Sequence, residues 1–145
     1  MTPESVRPEI RWAIEAAQDK KAAHLVVLKL GKLAAFAESF LLCSGESDPQ
    51  MRAIGDEIEE RLARRNVRLE HREGRPGAEW MLLDYGAFVV HIFTERARLY
   101  YDLERLWRSA ERLDIPENGQ PDSAGDSAEG RPSSTSNRDS DLSPS

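Results

Sequence analysis

The chain has 145 residues, which is enough for one domain with a hydrophobic core, and it carries 26 Asp and Glu side chains against 20 Lys and Arg. Most of this acidic excess lies from Pro116 onward, so the first 115 residues are nearly neutral, which argues against nonspecific binding of nucleic acid. The single cysteine, Cys43, excludes an internal disulfide. There is no signal-peptide pattern, no transit-peptide pattern and no apolar run near the roughly 20 residues that span a bilayer, so we expect a cytoplasmic protein without membrane contact.

The first half of the chain predicts two helices and two strands. Apolar side chains recur at helical spacing over residues 2–20, although Pro8 limits the regular helix to the part that follows it. Residues 24–30 form an apolar run of strand length, and residues 39–45 form a second one. Asp48 is predicted to cap a helix whose first residue is Pro49, and Asn66 is predicted to close that helix in a left-handed conformation.

The second half predicts three strands followed by short helices. Residues 67–70 are predicted to be a strand, and two longer strands flank a tight turn at Asp84-Tyr85-Gly86. Thr94 is predicted to cap a helix over residues 95–101, and Asp102 a second helix over residues 103–112.

This order of elements predicts an α/β fold: a single domain with a mixed β-sheet and flanking helices. Crossover connections would give parallel strand pairs, and the Asp-Tyr-Gly hairpin would give an antiparallel pair. We place the domain at residues 1–115. Residues 116–145 are rich in Ser, Pro, Gly and Asp, which predicts a disordered acidic tail.

The chain lacks the residue patterns of an enzyme. The run Ser44-Gly45-Glu46-Ser47 before a helix is typical of nucleotidyltransferases, but these enzymes also hold magnesium with two carboxylates on one strand face. Here Asp84 has Leu82 and Gly86 as its same-face neighbours, so that pair is absent. The three histidines and Cys43 show no metal-ligand spacing, and we expect no catalytic residue, no metal and no cofactor.

Two other features of the sequence are compatible with a binding function. Arginines cluster between residues 61 and 75 and could touch the phosphates of a nucleic acid, although interleaved glutamates favour an ordinary solvated face. Large aromatic side chains crowd the last third of the domain. Such side chains dominate protein–protein interfaces, but periodicity alone assigns most of these to the core. Trp80, Leu82 and Asp84 alternate onto one strand face with a charge at its end, which slightly favours an interface.

Taken in order, several segments resemble the ribosomal silencing factor family, also called RsfS or Iojap. The resemblance covers roughly residues 16–110 and is strongest at residues 19–22, 26–28, 43–47, 53–60, 80–86, 89–93 and 101–107. It implies a nucleotidyltransferase-like fold without that activity, in agreement with the missing carboxylate pair.

The resemblance also implies a translational repressor that acts under nutrient limitation. Factors of this family bind protein fourteen of the large ribosomal subunit and block joining of the small subunit. On this basis we expect the partner-binding residues to be Trp80, Leu82, Asp84, Tyr85, Gly86, Leu103 and Trp107. An adaptor in large-subunit assembly and a vestigial nucleotide-binding enzyme remain open as alternatives, as do a minor contact with ribosomal RNA and a homodimer of the free chain.

Overall fold

The computed structural model describes residues 6–117, which contain four α-helices, one short 3-10 helix (Gly31–Leu33) and six strands. In chain order the α-helices and strands are α1 (Pro8–Asp19), β1 (Ala23–Lys29), β2 (Ser39–Gly45), α2 (Asp48–Ala63), β3 (His71–Glu73), β4 (Trp80–Asp84), β5 (Phe88–Thr94), α3 (Glu95–Tyr101), α4 (Leu103–Leu106) and β6 (Glu111–Asp114). The predicted first-helix residues 2–5 and most of the predicted tail lie outside the described residues.

The six strands form one mixed sheet in the order β3-β4-β5-β2-β1-β6. The parallel pair is β2 with β5, in register from Ser39 opposite Phe88 to Gly45 opposite Thr94, and α2 lies in the connection between the two strands. The pairs β1–β2, β1–β6, β3–β4 and β4–β5 are antiparallel. The prediction of a single α/β domain with a mixed sheet is therefore confirmed.

Helices α1 and α2 cover one face of the sheet, which we call the helix face. They bury Ile10, Ile14, Ile54, Ile58 and Leu62 against alternate strand residues, and this cluster is the main core of the domain. The start of α2 differs by one residue from its prediction, because the Oγ of Ser47 accepts the amide of Gln50 at 3.2 Å. The carboxylate of Asp48 instead accepts the amide of Gly77, at 2.9 Å, and so fastens the loop before β4.

The segment after α2 does not form the predicted strand at residues 67–70. Asn66 does adopt the left-handed conformation, with φ +63°, but Val67 and Leu69 pack half-buried against the helix-face core. Pairing with β4 begins one step later, with His71 opposite Asp84. Local β propensity was therefore overridden by the packing of two apolar side chains.

The last predicted helix is also shorter than expected. Helix α4 ends at Leu106, and residues 111–114 form β6, which pairs with β1 from Lys29 opposite Glu111 to Val26 opposite Asp114. The free edge of β1 offers backbone groups that need partners, and a strand satisfies them where a continued helix could not. None of the helices within residues 6–117 is long and apolar enough to cross a membrane.

Candidate functional site

The hairpin between β4 and β5 has the tight turn that the sequence predicts. The amide of Tyr85 donates to the carbonyl of Phe88 at 2.9 Å, and the amide of Gly86 donates to Oδ1 of Asp84 at 2.8 Å. Gly86 has φ +85°, and a Cβ at this position would stand 2.7 Å from a carboxylate oxygen of Glu70. The Asp84 carboxylate therefore holds the shape of the hairpin tip.

Strand β4 divides its side chains between the two sheet faces. Met81 and Leu83 are buried in the core of the helix face. Trp80 and Leu82 are half-buried on the opposite face, and Asp84 follows them in the same alternation.

Four of the predicted partner-binding residues meet on that opposite face, which we call the open face. Trp80 and Leu82 come from β4, Leu103 lies in α4 and Trp107 directly follows α4, and all four pack half-buried against one cluster of buried apolar side chains. Segments more than 20 residues apart in sequence thus contribute to a single surface.

A row of ring contacts runs across the open face. From the loop before β2 to the end of α3 it consists of Phe36, Trp107, Phe40, His91, Trp80 and Tyr101, with successive ring centroids 4.5–6.1 Å apart. Phe36, at one end of this row, is 62% exposed, and Leu106 of α4, which lies between Leu103 and Trp107 in sequence, is 68% exposed. Exposed apolar side chains that continue a buried aromatic row are typical of a binding surface.

Sequence reasoning missed Phe36, Phe40, His91 and Tyr101 as members of this row. Phe36 lies in an irregular loop, where no periodicity assigns it to a face. The alternation of β5 could have pointed to His91, because Val89 and Phe93 lie on the same face of that strand.

His91 fixes the orientation of the Trp80 ring through a hydrogen bond. Its Nδ1 accepts the indole N–H of Trp80 at 3.0 Å, so the proton of the neutral imidazole is on Nε2, which has no hydrogen-bond partner within residues 6–117. The His91 side chain is 4% exposed, and burial lowers its pKa to about 4. It is therefore neutral at physiological pH and leaves this part of the open face uncharged.

Tyr85 takes a different position from the other predicted residues. Its ring belongs to the core of the helix face and stacks on Phe88 with centroids 5.0 Å apart, and burial raises the pKa of its hydroxyl. A partner on the open face would therefore not touch this ring. Asp84 and Gly86 remain accessible in part at the hairpin tip.

Within residues 6–117 no group of three His, Cys, Asp or Glu side chains is placed to hold a metal ion. Cys43 is fully buried, and burial raises the pKa of its thiol to about 12, so it is a core residue and not a nucleophile. The side chain of His24 is largely exposed, and its Nε2 lies 3.1 Å from a carboxylate oxygen of Glu95.

Carboxylates pair with several arginines of the cluster that begins in the last turn of α2. Arg61 binds Asp19 and Glu57 at 2.6 and 2.7 Å, and Arg64 binds Glu60 at 3.0 Å. Arg72 pairs with Asp56 and Glu59, and the Arg65 guanidinium lies 4.3 Å from the centre of the Trp12 ring. These pairs reduce the charge available for an RNA backbone.

Comparisons of the sequence with known proteins all point to the same family. A sequence model described as ribosomal silencing factor during starvation matches residues 3–141. The chain is 36% identical over 106 residues to the ribosomal silencing factor RsfS of Bacillus subtilis, covering 73% of this chain and 90% of that protein. It is 35% identical over 106 residues to the RsfS of Halalkalibacterium halodurans, covering 73% and 91%.

The fold is also similar to a solved structure. A crystal structure of a protein from Chromobacterium violaceum superposes with a TM-score of 0.68 at 28% identity, covering 82% of this chain and 98% of that one. Sequence and fold therefore agree, and the chain belongs to the ribosomal silencing factor family.

Proposed function

We propose that this protein represses translation under nutrient limitation by binding protein fourteen of the large ribosomal subunit and sterically blocking the joining of the small subunit. Family membership supports ribosome-directed repression. The contact with protein fourteen and the blocked joining step are our proposal. The geometry of the open face supports this proposal.

One observation supports a binding surface here more than any other. Four residues that the sequence predicts as partner residues pack on one sheet face: Trp80, Leu82, Leu103 and Trp107. Phe36, which contacts the Trp107 ring, and Leu106 in the same helix as Leu103 are largely exposed beside them in the chain or the ring row. Rigid aromatic side chains bury large areas at little entropic cost, so they dominate binding energy in protein interfaces.

The mechanism requires occupancy of a surface and no chemical step. A domain bound at the subunit interface excludes the small subunit by overlap, provided that it dissociates slowly compared with subunit encounter. The proposed repressor is accordingly not an enzyme and acts in the cytoplasm with the ribosomes.

Asp84 is the proposed charged contact at the edge of this surface. One of its carboxylate oxygens accepts the amide of Gly86, and no hydrogen bond or ion pair within residues 6–117 engages the other. A basic side chain of the ribosomal protein could pair with that oxygen, which would orient the complex more than it would strengthen it.

Leu106→Asp tests this function directly. Leu106 is largely exposed, so the change should leave folding intact while placing a desolvated charge in the interface. We expect pull-down of purified protein fourteen to be lost, and sucrose gradients to show subunits joining as they do without the factor. Ala63→Asp, at an exposed position of α2 on the helix face, is the matched control and should bind and block like the wild type.

The same experiment separates the alternatives. Binding at wild-type strength by Leu106→Asp and by Trp107→Ala would place the interface elsewhere. Binding of the wild type without any effect on subunit joining would favour an assembly adaptor. Gel filtration of Leu106→Asp against the wild type tests whether the free chain forms a homodimer through the same surface.

A further inference from the structure

Helix α4 carries part of the proposed docking surface but has little to hold it in place. It is a single turn, Leu103–Leu106, without a fully buried residue. Its N-cap Asp102 has φ +51° and makes no side-chain capping bond. An isolated turn of this kind is not stable in water, so contacts from outside the helix must determine its direction.

Arg98 of α3 supplies one such contact from inside the protein. This side chain is only 7% exposed, and its Nη1 donates to the carbonyl of His24 in β1 at 2.7 Å and to Oγ of Ser44 in β2 at 3.0 Å. Its Nε and Nη2 donate to the two carboxylate oxygens of Glu104, both at 3.1 Å. The guanidinium thus connects two central strands to α4 through a bidentate pair, which fixes orientation as well as distance.

Glu104 makes a third connection, to the edge strand. Arg112 of β6 lies 3.0 Å from the Oε2 of Glu104 and also pairs with Asp114 at 3.0 Å. Burial acts to raise the pKa of Glu104, but its hydrogen bonds and the charges of Arg98 and Arg112 outweigh burial and leave the pKa below its usual value. Glu104 is therefore ionised at neutral pH and joins α3, α4 and β6.

Stability alone does not account for this pair. Replacing a buried ion pair by apolar side chains of similar volume is often neutral or stabilising, because each charge must be desolvated. What apolar residues cannot provide is a fixed direction between two guanidinium nitrogens and two carboxylate oxygens.

We propose that Arg98 and Glu104 are positioning residues that orient α4, so that Leu103 packs on the apolar cluster of the open face and Trp107 lies against Phe40 in the conformation that protein fourteen binds. This inference rests on the proposed function for its partner. Its structural half, the ordering of α4, does not depend on any partner.

The test is the double variant Arg98→Met with Glu104→Leu, which removes both charges and keeps the site filled. The Arg98 change also leaves the carbonyl of His24 and the hydroxyl of Ser44 without this donor, so we expect a folded protein with a lowered thermal midpoint that binds protein fourteen at least tenfold more weakly. Amide hydrogen exchange at residues 106 and 107, whose amides bond to Asp102 and Leu103, should accelerate at least tenfold while exchange in β2 and β5 is unchanged.

Two controls make the result specific. Ile58→Val lowers stability slightly on the helix face and should change neither binding nor exchange in α4. Arg112→Gln removes only the half-exposed ion pair between Arg112 and Glu104. It should accelerate exchange in α4 and weaken binding less than the double variant does. The single variants Glu104→Gln and Arg98→Lys each change one member of the pair and keep the other. Both should accelerate amide exchange at residues 106 and 107, since neither allows a bidentate ion pair.

Unchanged exchange in α4 of the folded double variant would overturn the positioning role, whatever its affinity. Accelerated exchange with wild-type affinity for protein fourteen would also overturn it, because a disordered α4 would then be sufficient for binding. If the wild type itself does not bind protein fourteen, the proposed function fails, and the exchange measurement alone then decides whether the pair orders α4.

Discussion

The two faces of the sheet receive alternate residues of the same strands, yet they are covered in different ways. On the helix face, α1 and α2 extend over 12 and 16 residues and leave a closed core. On the open face, two short helices and the loop before β2 cover the centre only, and apolar side chains remain exposed at the margin. Under the proposed function, the helix face supplies most of the folding energy and the open face supplies the binding energy, so mutations on the two faces should have different consequences.

The largest expected effect is on the helix face. Ile58→Ala should remove about 3 to 5 kcal/mol of stability, because the residue is fully buried and its loss leaves a cavity between α2 and the sheet. Thermal unfolding should show a midpoint more than about 10 °C below the wild type. Leu106→Ala is the open-face counterpart, and its midpoint should change by no more than about 2 °C. Equal decreases in the thermal midpoint of Ile58→Ala and Leu106→Ala would show that the two faces contribute equally to stability, contrary to this expectation.

The neutral His91 should make the open face sensitive to acid. Its pKa is lowered in the folded protein to about 4, below the ordinary 6.5, so the unfolded chain binds the extra proton first as the pH falls. Stability should therefore be complete above about pH 6.5 and decline by up to about 3 kcal/mol as the pH approaches 4. Urea unfolding at a series of pH values measures this slope.

His91→Gln is the control for the acid effect, since glutamine can still accept the Trp80 indole proton but does not titrate. Glu79 and Glu104, whose pKa values are also lowered, contribute only below about pH 4.5 and do so in both proteins. A slope between pH 6.5 and 4.5 that persists in His91→Gln would show that another group is responsible.

The hairpin tip should respond more weakly. Gly86→Ala places a Cβ in a left-handed conformation and against the Glu70 carboxylate, a flexible group that can move aside, so we expect a loss of about 1 kcal/mol. Denaturant unfolding measures this loss, and Gly31→Ala is the matched control, because that glycine also has a positive φ but open space around it. The Glu70 contact would be irrelevant if Gly31→Ala and Gly86→Ala cost the same.

The smallest effect is expected from the C-terminal residues. Removal of residues 118–145 should change the thermal midpoint by no more than about 1 °C, because their composition lacks core-forming side chains. Glu117 is kept as the end point, since the carbonyl of Pro116 accepts a hydrogen bond from Gln18 at 3.1 Å. A larger fall in the midpoint would mean that this segment packs on the domain, contrary to the sequence prediction.

Local sequence determined much of this fold. Alternation in β4 assigned Trp80 and Leu82 to one face and Met81 and Leu83 to the other, and only glycine closes the turn at position 86 without strain. Pro8 starts α1, and a polar side chain with Pro49 starts α2, although the cap is Ser47 and not Asp48. These features depend on backbone preferences over a few residues, which a single sequence displays directly.

Only the tertiary structure decided how the two faces differ. Residues 111–114 form a strand because the edge of β1 needs hydrogen-bond partners, and Tyr85 turns into the helix-face core because space exists beside Phe88. Phe36 joins the open face through its contact with Trp107, and the Arg98–Glu104 pair is tied to β1 and β2 through Arg98; in both cases the contacting residues are distant in sequence. Such contacts depend on which surfaces meet when the sheet assembles, and no local pattern encodes that meeting.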